Sequence, residues 1–209
     1  DWKTNTQVFS GLGISNNENP ERKQINLEGI FNRVCPLWLE IGFGAGEHLL
    51  SLAKDNKNIG FIGSEPYLNG VAMLLPRLAK ENLTNVKIFM DDARLLLEVL
   101  PNASVEKLFL LFPDPWSKSR HRSRRFISKK NISMFKRVLK SQGLIYIATD
   151  VDQYTRHALE SFNNDSSFSW EANSADDWRQ PWKNWVNTRY YEKANLYGRK
   201  ITFLTFKRQ

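Results

Sequence analysis

Residues 37–46 read LWLEIGFGAG, an apolar run that stops at three glycines, Gly42, Gly44 and Gly46. Such a run feeding a glycine turn predicts a buried strand followed by a helix, because glycine readily takes the left-handed backbone a tight turn requires. Downstream, apolar runs at 59–65, 86–90, 105–112 and 143–150 alternate with helical patterns at about 48–54, 67–81, 92–100, 128–140 and 152–162. Strands that are apolar throughout and separated by helices imply a parallel sheet covered on both faces. Runs at 168–171 and 201–206 read as closing strands. Between them Trp178, Trp182 and Trp185, spaced by four and three, predict a helix packing its rings on the sheet. The fold class is α/β, an open doubly wound mostly parallel sheet with C-terminal antiparallel strands. A polar N-terminal segment is expected over 1–33, with Asn16, Asn17, Asn19 and Pro20 marking a turn or flexible stretch. A single domain is expected over 34–209.

In an open sheet of this kind, ligands bind beyond the carboxyl ends of the strands, near the point where strand order reverses. Acids fall at those ends: Glu40, Glu65, Asp92, Asp114 and Asp150. Their recurrence marks a site rather than chance surface charge. The glycine turn offers free N–H groups at a helix start. A dinucleotide fingerprint would need a further glycine at position 47, where this chain has Glu47. Glu47 would repel a pyrophosphate, whereas Glu40 suits a cationic ligand. Glu65 suits a ribose diol and Asp92 an exocyclic amine. A nucleoside that carries positive charge fits these features, and S-adenosylmethionine has that character.

The second informative stretch is residues 108–126, LFLLFPDPWSKSRHRSRRF. Prolines on both sides of Asp114 restrict its backbone and aim its carboxylate. Residues 115–149 carry ten Lys/Arg and no Asp or Glu, against a whole-chain net charge of +8, so the remainder sums to about −2. Positive charge focused beside one carboxylate points to a polyanionic substrate. Lys118, Arg120, Arg122, Arg124, Arg125, Lys129 and Lys130 are the expected phosphate contacts. The apolar share of 41% with 13 Phe and 7 Trp excludes a disordered chain, and no run reaches the ~20 apolar residues of a membrane span. One cysteine, Cys35, excludes an internal disulfide framework and suggests a reducing, cytoplasmic setting. His48, His121 and His157 offer no metal spacing, so no metal is expected. The first residue is Asp1, and an N-terminal piece is expected to precede it.

LEIGFGAG at 39–46, DDA at 91–93, PDPW at 113–116 with KSRHRSRRF after it, ATD at 148–150 and TRYYEKA at 188–194 together resemble the bacterial tRNA (guanine-N7-)-methyltransferases. The match runs in order from about residue 37 to the C-terminus, and PDPW with its basic tail is its most specific part. The resemblance implies a class I, Rossmann-like methyltransferase that uses S-adenosylmethionine and forms N7-methylguanosine in the tRNA variable loop (position 46 of the tRNA). By motif position it implies Glu40, Gly42, Gly44, Glu65, Asp92, Ala93 and Asp114 at the cofactor, with Asp114 also the catalytic residue. It implies Lys118, Asp150, Thr188, Arg189, Tyr190, Tyr191 and Glu192 at the substrate. The family usually reads T-R-Y-E-x-K-A where this chain has TRYYEKA, so either Tyr191 or Glu192 stands in the glutamate's place. A monomer or homodimer is expected.

Guanine N7 carries a lone pair and no proton, so attack on a sulfonium methyl needs no obligatory base. Placement supplies most of the catalysis, and a fixed carboxylate offsets the charge the purine gains. Other readings are a methyltransferase for small molecules or proteins, a dinucleotide dehydrogenase, and a non-catalytic RNA-binding protein. The focused basic cluster disfavours the first, Glu47 and Glu40 the second, and the intact acids the third.

Overall fold

The computed structural model describes residues 23–209, so Asn16, Asn17, Asn19 and Pro20 lie outside the described residues. Five strands, β1 (Leu37–Ile41), β2 (Gly60–Ser64), β3 (Val86–Phe89), β4 (Val105–Leu111) and β5 (Leu139–Thr149), pair in parallel in the order β3-β2-β1-β4-β5. The last two strands are β6 (Phe168–Trp170) and β7 (Thr202–Arg208). β7 inserts between β5 and β6 and runs antiparallel to both. Strand order reverses between β1 and β4, which sets the crevice at their carboxyl ends.

Strand residues alternate between two faces, and both faces are buried. On one, Leu39 and Ile41 of β1, Leu108 and Leu110 of β4, and Ile145 and Ile147 of β5 share a core with three helices. These are α4 (Ala93–Val99), α5 (Lys129–Val138) and α6 (Asp152–Asn163). The opposite face packs Phe61, Val86 and Ile88 against Leu49, Val71, Leu74 and Leu78. Those leucines and valine come from α2 (Glu47–Asp55) and α3 (Leu68–Lys80). A short α1 (Leu27–Phe31) joins the first core through buried Ile25 and Ile30, within the stretch that reads as polar from sequence.

The structure corrects two expectations. β5 begins at Leu139, directly after α5, because Leu139 already pairs with Val105. The Trp-rich stretch is not one helix: α7 (Asp176–Arg179) ends before Pro181, which biases the residue ahead of it to extended backbone. Trp182 and Trp185 nevertheless pack on the sheet, against Phe203 at 5.1 Å each. The Trp182 indole N–H donates to the Thr205 hydroxyl at 2.9 Å. The final helix is α8 (Arg189–Leu196), capped by Thr188, whose hydroxyl accepts from the Tyr191 N–H.

Candidate active site

The glycine turn after β1 requires its glycines, with φ of 72°, 57° and 77° at Gly42, Gly44 and Gly46. Side chains there would be strained, and at Gly46 a Cβ would also lie 2.7 Å from Leu74. The turn is held from β2. Glu65 is buried, and its Oε2 accepts from the Gly44 N–H at 2.9 Å while Oε1 accepts from the Tyr67 N–H at 3.1 Å. Each carboxylate oxygen has a second lone pair, so Glu65 stays available as an acceptor.

Beside this turn lies a cleft of about 1120 Å³, bounded by the carboxyl ends of β1, β2, β3 and β4. Gly42, Gly44, Glu65, Asp91, Asp92, Ala93 and Asp114 line it. Asp92 caps α4: Oδ1 accepts from the Arg94 N–H at 2.9 Å and Oδ2 pairs with the Arg94 guanidinium at 2.7 Å. Asp91 and Arg94, which sequence reasoning passed over, therefore belong to the same wall.

The loop after β4 is constrained beyond its two prolines. Phe112 and Trp116, at its ends, have φ of 48° and 40°. Each costs about 1–2 kcal/mol for an L-residue, and strain of this kind concentrates at functional sites. Asp114 is exposed between them and faces the cleft.

Arg125, expected from sequence as a phosphate contact, is turned inward at the cleft wall. It is 3% exposed, with its Nε–H donating to the Pro115 carbonyl at 2.9 Å and its other end to Gln153 at 2.8 Å. The guanidinium ties the loop to α6. Burial pushes the neighbouring Tyr154 hydroxyl well above its ordinary range, and the Asp114 carboxylate pushes it further.

The remaining cations stay at the surface. Arg120, Arg122 and Arg124 form a 3₁₀ segment, Ser119–Arg124, that starts after Lys118. Trp116 anchors it: the His121 ring meets the indole edge-on at 5.7 Å and the Arg124 guanidinium lies 4.9 Å above it. Lys129 and Lys130 occupy the first turn of α5, where helix polarity favours anions over cations. Arg124 and Lys130 also line the cleft.

The other expected residues divide. Glu40 is buried and lines a small recess beside the cleft rather than the cleft itself. Asp150 lies outside both, paired with Arg199 at 2.8 Å. Thr188 lines the recess, while Arg189 and Tyr190 line both spaces. Arg189 pairs with Glu47 at 3.0 Å, and Tyr190 stacks on Phe112 at 6.1 Å. Tyr191 turns inward against Trp185, Glu192 is exposed outside the cleft, and Lys193 lines it. Neither candidate for the family's glutamate therefore faces the cleft. Lys193 could have been found from sequence, since it lies three residues after Tyr190 on one helix face.

Comparison with known proteins closes the case for the family. The family model described as "Putative methyltransferase" matches residues 35–204. The tRNA (guanine-N(7)-)-methyltransferase of Roseobacter denitrificans is 46% identical over 192 residues, 92% of this chain and 82% of that protein. That of Agrobacterium fabrum is 46% identical over 185 residues, 88% of this chain and 80% of the relative. The chain belongs to the tRNA (guanine-N7-)-methyltransferase family. Solved structures share its fold at low identity. A 16S rRNA methyltransferase superposes with a TM-score of 0.59 at 13% identity, covering 93% of this chain and 94% of the other. A methyltransferase from Streptococcus mutans, solved in complex with S-adenosylhomocysteine, gives 0.56 at 12% identity and covers 83% and 89%. The glycine turn of this methyltransferase family member opens at the switch point of the sheet. No helix among the described residues is long and apolar enough to cross a membrane.

Proposed function

We propose that the chain transfers a methyl group from S-adenosylmethionine to N7 of a guanine in the tRNA variable loop, forming N7-methylguanosine. The observation that carries this reading is the placing of Asp114. The proline-flanked carboxylate, on a loop strained at Phe112 and Trp116, faces the same cleft as the glycine turn, with the basic 3₁₀ segment attached through Trp116.

The residues present fit the cofactor. Glu65 holds the turn yet keeps lone pairs for a ribose diol, and Asp92 does the same for an adenine amine. A cleft of about 1120 Å³ has room for the cofactor and a base together. When bound, S-adenosylmethionine supplies an electrophilic methyl on a sulfonium.

Asp114 orients the guanine and offsets the positive charge its ring acquires as N7 bonds to carbon. Tyr190, carried on α8, offers a ring at the cleft wall where a base can stack. Lys118, Arg120, Arg122, Arg124, Lys129 and Lys130 hold phosphates and fix the register of the RNA without reading its sequence. No proton leaves N7, so no residue is assigned as a base. The protein acts in the cytoplasm as a monomer or homodimer and needs no metal.

Incubation with labelled S-adenosylmethionine and bulk tRNA, followed by mapping of the labelled base, tests the reading. Label at N7-methylguanosine in the variable loop is expected, and label elsewhere or none would overturn it. Asp114→Asn should lower kcat about a hundredfold while cofactor affinity stays within a few-fold. Near-normal turnover in that variant would remove Asp114 from the chemistry.

A further inference from the structure

Glu40 and His48 form a buried pair with no part in the steps above. Both are 3% exposed, and His48 Nδ1 lies 2.7 Å from Glu40 Oε2. β1 turns Glu40 away from Leu39 and Ile41, and the first turn of α2 brings His48 over it. The imidazole is boxed by Phe109, edge-on at 4.9 Å, and by Trp185 at 5.8 Å. Its ring is thus fixed by aromatic neighbours as well as by the hydrogen bond.

Glu40 lines a recess of about 30 Å³ that shares Gly42, Ala45, Leu111, Phe112, Arg189 and Tyr190 with the main cleft. The other charged residues of the recess, Glu47 and Arg189, are paired with each other at 3.0 Å. Glu40 is the remaining acidic residue of the recess. A space of this size holds one water-sized group, and an ammonium is such a group. A polar side chain this buried needs a hydrogen-bond partner, and His48 supplies one. The 2.7 Å contact engages Oε2, which leaves Oε1 to accept from a ligand.

We infer that His48 is a positioning residue for the cofactor: its hydrogen bond to Oε2 holds the Glu40 carboxylate aimed at the recess, where Glu40 binds the ammonium of the methionine end. The inference rests on the proposed use of S-adenosylmethionine and assigns His48 a role in affinity for that one end of the molecule.

Calorimetric titration separates this role from simple packing, because two substitutions divide the functions of the ring. His48→Phe keeps an aromatic ring against Phe109 and Trp185 but removes the donor. His48→Asn loses the ring but keeps an amide N–H near the place of Nδ1. His48→Phe and Glu40→Gln should weaken S-adenosylmethionine binding about tenfold to a hundredfold, and His48→Asn less than about fivefold. Methylthioadenosine, which lacks the amino-acid end, should bind His48→Phe as it binds the unsubstituted protein, and tRNA affinity should hold in all variants. If His48→Phe retains full affinity for S-adenosylmethionine, or if His48→Asn loses as much as Glu40→Gln while tRNA affinity holds, His48 has no positioning role. Should His48→Phe fail to fold, the Asn arm decides alone. Unchanged affinity in Glu40→Gln overturns the inference and leaves the proposed function standing. Absence of S-adenosylmethionine binding by the unsubstituted protein overturns the proposed function itself.

Discussion

Arg125 and Arg122 are three residues apart in one basic run, yet the structure gives them opposite surroundings. Arg122 is exposed on the 3₁₀ segment, whereas Arg125 is buried with its guanidinium held by the Pro115 carbonyl and Gln153. From sequence the two are alike, because a run of cations does not say which member turns inward. The distinguishing cause is the αL backbone at Trp116, which folds the run back over its own loop. Arg125→Met should therefore leave the half-buried Pro115 carbonyl and Gln153 without their donor, costing about 0.5–1.5 kcal/mol per lost hydrogen bond. Thermal melting should show the loss, and kcat should fall because Asp114 is no longer held. The dependence of tRNA affinity on salt should stay as it was. Arg122→Ala should do the reverse, keeping the melting temperature and lowering the salt slope by about 0.7–0.9. If Arg125→Met lowered the slope as Arg122→Ala does, the brace would be a phosphate contact after all.

Among the elements, those that the sequence displays best are buried on both faces. β1, β2 and β4 read as largely apolar runs, broken by Glu40 in β1 and by Glu106 and Lys107 in β4, because both of their faces are covered. The Trp-rich stretch misleads for a related reason: its spacing matches a helix, but Pro181 breaks the segment and the rings reach the sheet from irregular backbone. α8 is legible as a motif and not as a helix, which hides that Lys193 lines the cleft while Tyr191 and Glu192 do not. Two contacts across elements had no sequence signal at all. Glu40 meets His48 only because α2 crosses β1, and Gly70 of α3 lies so near the glycine turn that a Cβ would fall 2.3 Å from the Gly44 carbonyl oxygen. The second contact reverses an ordinary expectation. Gly→Ala inside a helix usually gains about 1 kcal/mol, but here the added carbon overlaps backbone that cannot rotate aside. Gly70→Ala should displace the turn and weaken S-adenosylmethionine binding by about tenfold or more, with tRNA affinity within about twofold. Calorimetry on both ligands checks this, and an unchanged or tighter cofactor constant would show that α3 can slide.

At the scale of the molecule, charge is divided between two jobs. Carboxylates near the C-terminal strands support the fold: Lys207, then Ser169, hold Glu171 below its ordinary value of 4.5, and the Ser167 N–H holds Asp165 below 3.8. A carboxylate lowered on folding adds stability above its unfolded value, and that share is lost as pH falls through the folded value. The melting temperature should thus be level with respect to these groups above about pH 5 and fall below about pH 4.5. Lys207→Met should remove the part due to Glu171, as melting curves across that range would show. The other job is done by the exposed cations. Ten Lys/Arg lie in residues 115–149, yet they are not equivalent. Arg125 braces the loop that carries Asp114, Arg137 ties α5 to the Leu97 and Leu100 carbonyls, and Lys140 pairs with Glu106 at 2.9 Å. Lys136 is exposed near the far end of α5. Six remain exposed, Lys118, Arg120, Arg122, Arg124, Lys129 and Lys130, with Arg124 and Lys130 lining the cleft. Each phosphate neutralised contributes about 0.7–0.9 to the slope of log affinity against log salt, so six contacts correspond to a slope of about −4 to −5. Ten would give about −7 to −9. Filter-binding or fluorescence titrations of tRNA between about 50 and 200 mM salt distinguish these values. The smaller slope is expected, and a slope near the larger one would mean that the bonds now joining Arg125, Arg137 and Lys140 to the fold open when RNA binds.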